Sequence, residues 1–261
     1  MTMTPWARYA RPLPGTHPPL DAPAYRSTSL RAPRHPAVPL EGGLTEITGP
    51  LRRTRIIDPA EADLTKGEAG EAVGQRIVVA GRVLDANGQP LPDTVVEIWQ
   101  ANASGRYRHR RDQWPGRLDS NFTGAGRAVT DAEGRYRFLT VKPGAYPWGN
   151  HVNAWRPAHI HFSLLGRCFT QRLITQMYFP DDPLFFQDPI FNAVADPAAR
   201  QRLVSVYDHE LSEPEWALGF RWDIVLRGHE QTPFENATFE HGPAEHATFE
   251  NATFENGPDH G

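Results

Sequence analysis

The sequence predicts an all-β protein whose core is an antiparallel β-sandwich, with an irregular N-terminal arm, a few short helices and a disordered C-terminal tail. From Arg76 onward, short β-branched and aromatic runs alternate with turn sequences, a texture typical of a sandwich or barrel. Before about residue 70, closely spaced prolines break every candidate element. Beyond about Asn236, near-copies of Ala-Thr-Phe-Glu replace any core-forming pattern. We therefore predict three parts: the arm (1–70), the sandwich domain (71–236) and the tail (237–261).

Strands are predicted at six places in the central part of the chain. Two apolar runs, residues 77–84 and 94–99, flank the turn sequence Asp85-Ala86-Asn87-Gly88. Because such a turn can join neighbouring strands, we expect these two strands to pair or to lie adjacent. The other four strands are expected at residues 135–141, 158–165, 169–177 and 220–226.

Two short helices are predicted from an aspartate followed by proline. Asp58-Pro59-Ala60-Glu61 supplies an N-cap, a proline at the first helical position and a glutamate three residues after the cap. Asp196-Pro197-Ala198-Ala199 has the same beginning, and we expect its helix to run to about Val206.

Composition excludes several classes of function. The formal net charge of -4, with both signs spread along 261 residues, leaves no basic stripe for nucleic acid. No run approaches the roughly 20 apolar residues that span a bilayer, and the beginning lacks the apolar segment of a signal peptide. We therefore expect a soluble, cytoplasmic protein. Cys168 is the only cysteine, so any metal must be bound through nitrogen and oxygen.

A His-X-His pair lies on one predicted strand. Strand alternation puts Ala158, Ile160, Phe162 and Leu164 on one face and the two histidines, His159 and His161, on the other. Side by side on that face, the imidazoles are close enough to share one metal ion. The alternative is a solvated face with two surface histidines. The preceding residues 146–157, rich in aromatics and proline and containing an arginine, favour a pocket.

The chain resembles the intradiol ring-cleavage dioxygenases, in the branch that acts on protocatechuate. The resemblance spans roughly residues 20 to 236 and rests on several ordered stretches, among them Gly-Arg-Tyr-Arg-His and Arg-Pro-Ala-His-Ile-His-Phe. The matching stretches are residues 79–83, 97–102, 105–109, 142–148, 155–162, 173–179 and 221–228.

This resemblance implies one non-haem Fe(III) per chain, bound by four side chains. They are Tyr107, Tyr146, His159 and His161. Because a free tyrosine has a pKa of about 10, two tyrosinates at neutral pH require a strong Lewis acid such as ferric iron. The set also differs from the two-histidine, one-carboxylate set of Fe(II) oxygenases. The resemblance further implies that Tyr146 leaves the metal and takes a proton when substrate binds, while Tyr107 stays.

The resemblance assigns the remaining site residues in the same way. Arg156 and Gln176 fall on the active-site polar pair, and Arg156 would stabilise charge that builds on the ring. The other implied contacts are the pocket walls Trp99, Trp148 and Ile190, and Tyr25 and Arg31 of the arm, which would reach the substrate. Plainer readings are a surface salt bridge for Arg156 and packing roles for the tyrosines, Trp99 and Ile190.

The sequence departs from the family pattern beside one expected ligand. Ala145 stands where a proline usually precedes the ligand tyrosine, and Gly149 replaces a bulkier residue after Trp148, so the rim of the pocket is expected to differ. The repetitive tail has no counterpart in the family.

The function implied is cleavage of protocatechuate (3,4-dihydroxybenzoate) by O2 to 3-carboxy-cis,cis-muconate, in aromatic degradation through the beta-ketoadipate pathway. In the family such a chain pairs with a homologous alpha chain in a hetero-oligomer, with the site at their interface. One alternative is an intradiol enzyme for catechol or hydroxyquinol. Another is a non-enzymatic, prealbumin-like binding module, which residues 81–99 also resemble.

Overall fold

The computed structural model describes residues 13–18, 57–67, 69–110, 112–166 and 173–234. The expected substrate contacts Tyr25 and Arg31, and the predicted tail, lie outside this part of the chain. Within it the strands are β1 (Lys66–Gly67), β2 (Gly70–Glu71), β3 (Arg76–Leu84), β4 (Val95–Trp99), β5 (Ala125–Val129), β6 (Arg135–Val141), β7 (Tyr146–Trp148), β8 (Ala154–Arg156), β9 (His159–Leu165), β10 (Leu173–Tyr178), β11 (Val206–Tyr207), β12 (Leu218–Arg221) and β13 (Ile224–Val225).

Two sheets form the predicted sandwich. The first is antiparallel, in the order β10-β9-β4-β5. In the second, β3 pairs antiparallel with β6 and parallel with β12 and β13, and β11 extends β12. Two small hairpins, β1–β2 and β7–β8, lie outside both sheets. The all-β sandwich prediction is confirmed, and the two parallel pairs are a feature that the strand pattern did not indicate.

The core lies between the two sheets and follows strand alternation. Phe162 of β9 makes edge contacts with Tyr136 and Phe138 of β6 and with Trp222, across the sandwich. Each ring centroid lies 4.9–6.4 Å from that of Phe162, the range in which aromatic pairs attract one another. Ile160 and Leu164 share this face of β9 and are fully buried. Burial of these alternating residues fixes the register of β9, because a one-residue slip would turn them away from the core.

The expected pairing of the strands at 77–84 and 94–99 is wrong. Strand β3 belongs to one sheet and β4 to the other, so the connection crosses the sandwich. The turn sequence does form, since the backbone N–H of Gly88 donates to the carbonyl of Asp85. However, only a single bridge between Leu84 and Pro90 follows, and proline has no N–H with which to continue a ladder.

Three other strand predictions are confirmed, the first with the predicted ends and the other two with shifted ends. The strand at 135–141 is β6, the strand at 158–165 is β9, and the described end of 169–177 is β10. The expected strand at 220–226 is instead two strands, β12 and β13. They are separated by Trp222 and Asp223, whose carbonyl and carboxylate accept hydrogen bonds from Tyr136 and from the Arg82 N–H.

The aspartate–proline pairs begin helices as predicted. Pro59–Ala62 is a short 3₁₀ helix with a complete capping box between Asp58 and Glu61. Helix α2 (Pro197–Gln201) begins after Asp196 but ends well before Val206, because Arg202 closes it as the C-cap. Helix α1 (Pro189–Ala193) was not predicted: at five residues it is too short for periodicity, although Asp188-Pro189 repeats the same capping pattern. A further 3₁₀ turn occupies Phe185–Gln187.

No helix in the described ranges combines the length and the apolar character that crossing a membrane requires.

Replacing Gly81 by alanine should destabilise the sandwich, because a Cβ at this position in β3 would overlap the carbonyl oxygen of Trp222. That carbonyl is backbone and also accepts the hydroxyl of Tyr136, so it cannot move aside without loss. We expect the free energy of unfolding to fall by about 1–3 kcal/mol, as for other overpacked sites, measured by urea denaturation. Gly149→Ala is the control: no atom lies within 4 Å of its Cβ, so its effect should stay below about 0.5 kcal/mol. Equal losses in both variants would contradict the prediction.

Candidate metal centre

Four side chains meet at one point beside the first sheet. The Tyr107 hydroxyl lies 3.1 Å from His161 Nε2 and 3.4 Å from His159 Nε2. The Tyr146 hydroxyl lies 3.4 Å from both the Tyr107 hydroxyl and His159 Nε2. The structure thus brings together the four residues that the sequence singled out as a ligand set. Their polar atoms all point toward the same small volume.

Strand β9 delivers the two histidines. Its apolar residues face the core, so His159 and His161 share the opposite face, as alternation predicts. That face is not solvated: His159 is 2% exposed and His161 is 7% exposed. The reading of two surface histidines is therefore wrong. A second layer of the protein covers them, and it contains the two tyrosines.

Neighbouring strands complete two rows of side chains across this face. Trp99 of β4 and Gln176 of β10 lie directly opposite His161, and Tyr178 lies opposite His159. Residues opposite one another in an antiparallel pair point to the same face. The Trp99 ring accordingly stacks on His161, with centroids 4.8 Å apart and planes within 4°. The stack restrains the orientation of this imidazole.

The β7–β8 hairpin delivers Tyr146 and Arg156 as a directly opposed pair. Tyr107 follows β4 in a loop that Asn102 organises: its side-chain oxygen accepts the N–H groups of Ser104 and Arg106. The carbonyl of Asn102 also accepts the N–H of Gly144, just before the hairpin. The two segments that carry the tyrosines are therefore joined through one residue.

A backbone carbonyl sets the tautomer of His159. Its Nδ1 lies 2.7 Å from the carbonyl oxygen of Pro157, which can only accept, so Nδ1 carries the proton. The Nε2 atom then presents its lone pair to the tyrosine hydroxyls. A histidine anchored in this way is typical of a metal ligand, because the second hydrogen bond fixes the ring.

Burial keeps the two histidines and the two tyrosines neutral when no metal ion is bound. Desolvation, and then the positive charge of Arg156, lower the pKa of His159 and of His161 well below the ordinary value. Desolvation and the neighbouring Tyr146 raise the pKa of Tyr107 well above its ordinary value, and desolvation also raises the pKa of Tyr146. Two neutral imidazoles and two phenols form a donor set that fits a hard, highly charged metal ion able to displace the phenolic protons.

Other metal sites are not evident in the described ranges, which contain no group of three or more His, Cys, Asp or Glu residues suited to a metal ion. The tyrosine oxygens are therefore essential to this site as a metal centre.

Arg156 lies behind the cluster in a buried polar network. It is 2% exposed, so the reading of a surface salt bridge is wrong. Its Nη2 donates to Gln176 Oε1 and, at 3.2 Å, to the Tyr178 hydroxyl, which donates in turn to Gln176 Oε1 at 3.2 Å. Its Nε lies 3.1 Å from Asp188 Oδ1, an ion pair outside hydrogen-bond alignment. Burial, the largest single influence, lowers the pKa of Arg156, but Asp188 and the tyrosines Tyr178, Tyr146 and Tyr107 together outweigh it and raise the pKa above the ordinary value.

Two members of this network were missed from the sequence, namely Tyr178 and Asp188. Tyr178 could have been found if the strand predicted at 169–177 had been extended by one residue, because it follows Gln176 by two residues and so shares its face. Asp188 gave only the signal of a helix cap, which does not reveal that its side chain is fully buried.

Of the expected pocket walls, Trp148 lies against Arg156, Ile190 is bonded to its ion-pair partner Asp188, and Trp99 stacks on His161. The guanidinium carbon of Arg156 is 5.4 Å from the centre of the Trp148 ring, and Trp99 and Trp148 are both half-buried. Ile190 is half-buried in the first turn of α1, where its N–H donates to Asp188 Oδ1 at 2.9 Å. Next to Trp148, the space around Gly149 is open, so the missing side chain leaves the rim unfilled.

The metal-free protein should lose stability as the pH falls below about 6.5, the ordinary pKa of histidine. The unfolded chain then binds protons that buried His159 and His161 refuse, so each contributes a slope approaching about 1.4 kcal/mol per pH unit. Urea denaturation between pH 7.5 and 5.5 measures the slope. His161→Asn should reduce the slope. Burial also lowers the pKa of His17, so this residue should contribute part of the slope in both proteins. An unchanged slope in the variant would count against a neutral His161.

Comparison with known proteins supplies the family. Residues 47–228 match the family described as Dioxygenase, and residues 9–42 match the N-terminal region of the protocatechuate 3,4-dioxygenase beta subunit. The protocatechuate 3,4-dioxygenase beta chain of Burkholderia cepacia is 55% identical over 222 residues, which cover 84% of this chain and 94% of that protein.

More distant relatives include the partner type of subunit. The protocatechuate 3,4-dioxygenase alpha chain of Pseudomonas putida is 30% identical over 166 residues, or 63% of this chain and 77% of that protein. Among solved structures, the dioxygenase domain of a dioxygenase carbohydrate-binding fusion from Streptomyces sp. SirexAA-E is 25% identical. The match covers 64% of this chain and 87% of the Streptomyces chain, with a TM-score of 0.47. Because the family match covers most of its length and the Burkholderia cepacia beta chain is 55% identical to it, this chain belongs to the intradiol ring-cleavage dioxygenases.

Proposed function

We propose that this chain binds one ferric ion through Tyr107, Tyr146, His159 and His161 and cleaves protocatechuate with O2 to 3-carboxy-cis,cis-muconate. The observation that supports the iron site best is the convergence of the four donor atoms, each 3.1–3.4 Å from a neighbour. The substrate is proposed from the 55% identity to a protein named for protocatechuate. When bound, ferric iron supplies a Lewis acid that draws electron density from a catecholate and makes its ring reactive toward O2.

The two tyrosines are suited to different tasks. The Tyr107 hydroxyl lies 3.1 Å from His161 Nε2 and 3.4 Å from His159 Nε2, whereas Tyr146 sits on a short hairpin outside the main sheets. We therefore assign Tyr107 as a permanent ligand and Tyr146 as the ligand that gives way to substrate. Because burial raises the pKa of Tyr146, its oxygen takes up a proton readily once it is away from a cation. It is thus a suitable acceptor for a substrate hydroxyl proton.

Arg156 is proposed to stabilise negative charge that develops on the ring. Its guanidinium is buried and held by hydrogen bonds before substrate arrives. A preorganised cation in a dry pocket stabilises an anionic transition state without reorganising at the moment of reaction. Gln176 accepts from Arg156 and Tyr178, so its role is to orient the guanidinium.

The protein is proposed to work as a hetero-oligomer with a homologous alpha chain, the type of subunit named in the 30% identical relative. We extend the proposal to the arm (1–70), in which residues 9–42 match a beta-subunit family. We propose that Tyr25 and Arg31 of this arm contact the substrate. We also propose that residues 71–236 form the sandwich domain and that residues 237–261 form a separate tail. The proposed pocket walls are Trp99, Trp148 and Ile190. The proposed location is the cytoplasm.

Iron content, visible spectrum and oxygen uptake test the function on the chain co-expressed with its alpha partner. We expect about one iron per chain, a red-brown colour from tyrosinate-to-iron charge transfer, and fastest uptake with protocatechuate. Faster turnover of catechol or hydroxyquinol would change the substrate, and a colourless, iron-free protein would favour a binding module. Tyr107→Phe should weaken the visible band. Tyr136→Phe, which removes a core hydroxyl bonded to Trp222, should leave the band unchanged.

Arg156→Ala should lower turnover by about 10²-fold or more, as for other preorganised electrostatic groups, while iron and the visible band are retained. Steady-state oxygen uptake together with iron analysis measures both. Arg137→Ala, which breaks an exposed pair with Glu213, should keep normal turnover. Near-normal turnover of the Arg156 variant would remove this residue from the mechanism.

A further inference from the structure

We propose that Asp188 is a positioning residue: its carboxylate fixes the Arg156 guanidinium and ties it to the helix that carries the pocket wall Ile190. This inference rests on the proposed function, because it concerns how Arg156 is presented to the ring. Two contacts of Asp188 share one carboxylate oxygen. Oδ1 lies 3.1 Å from Arg156 Nε and accepts the N–H of Ile190 at 2.9 Å.

Capping alone does not account for a carboxylate at this position. Asp58 and Asp196 also precede a proline and cap short helices, but Asp58 is exposed and Asp196 is only half-buried. Asp188 has no exposed surface at all. Asparagine caps a helix as well as aspartate does and brings no charge to desolvate. A buried carboxylate is favourable only with a partner of opposite charge, and Arg156 is that partner.

The contacts of Arg156 define how its guanidinium is oriented. Asp188 approaches Nε, while Gln176 and Tyr178 occupy Nη2. The guanidinium carbon lies over the Trp148 ring, 5.4 Å from its centre. Within the described residues these contacts engage Nε and Nη2. Loss of the Nε contact frees the plane to turn about the remaining anchor, so the charge would no longer be held in one place.

The shared oxygen also couples two parts of the pocket. Helix α1 begins at the residue after Asp188, and Ile190 is its second residue. A displacement of the Asp188 side chain therefore moves both the guanidinium and the first turn of α1. We infer that Asp188 sets the separation between the charged group and the apolar wall, which is the spacing that an aromatic ring must match.

The test is Asp188→Asn in the iron-loaded protein co-expressed with its alpha partner. Asparagine keeps the cap and the shape but removes the charge, so kcat should fall by about 10²-fold, as for a misplaced catalytic group, while the visible band and iron content stay normal. Asp196→Asn makes the same change at a cap that pairs with no arginine in the described part of the chain, and its kcat should match the wild type.

A double-mutant cycle separates positioning from general stability. If Asp188 acts through Arg156, then Asp188→Asn should add no further loss of kcat to Arg156→Gln. The double variant contains a neutral pair, so it should unfold at higher urea than Asp188→Asn, which leaves a buried guanidinium without its partner. This keeps the test usable where the single variant folds poorly.

Three outcomes would overturn the proposal: normal kcat in Asp188→Asn, additive losses in the cycle, or loss of the visible band in step with kcat. Wild-type protein without iron or oxygen uptake would instead overturn the proposed function. Because the wild type and the variants are measured together, the two failures are distinguishable.

Discussion

Burial of strand β9 on both faces is the constraint on which the site depends. Its apolar residues are held between the sheets, and their register leaves His159 and His161 no choice of face. Because the second face is also covered, the imidazoles are desolvated and remain neutral, as a ligand nitrogen must. Packing on one side of the strand thus determines the chemistry on the other. The tyrosines complete this arrangement from loops, whose positions are less directly fixed.

The buried charge beside the site is balanced by an ion pair between Arg156 and Asp188. The positive charge of Arg156 acts on both histidines, because it lowers the pKa of each. Alone in a buried position it would be costly, and Asp188 offsets much of that cost. The pair leaves a guanidinium that is charged, oriented and largely neutralised at one edge. Such a group is placed to respond to new negative charge on a ligand.

Much of the fold and half of the ligand set could be predicted from local pattern. Alternation identified β9 and its histidines, and aspartate–proline pairs identified two helix starts. The partition of β3 and β4 between sheets could not be predicted, because a turn sequence does not specify in which sheet the next strand pairs. Local pattern also could not identify Tyr107, which only the resemblance implied, because its place depends on the hydrogen bonds of Asn102. Asp188 reads as an ordinary cap until its burial is known.

The hydrogen bond between His159 and the Pro157 carbonyl has a practical consequence for directed evolution. An acceptor that belongs to the main chain cannot be deleted by exchanging a side chain, so libraries that vary the pocket retain the ligand tautomer. Substrate range could then be searched at the rim, at Trp148, Gly149 and Ile190, without screening each variant again for a correctly protonated imidazole. The proposed metal-binding function and the proposed selectivity of the pocket could therefore be engineered separately.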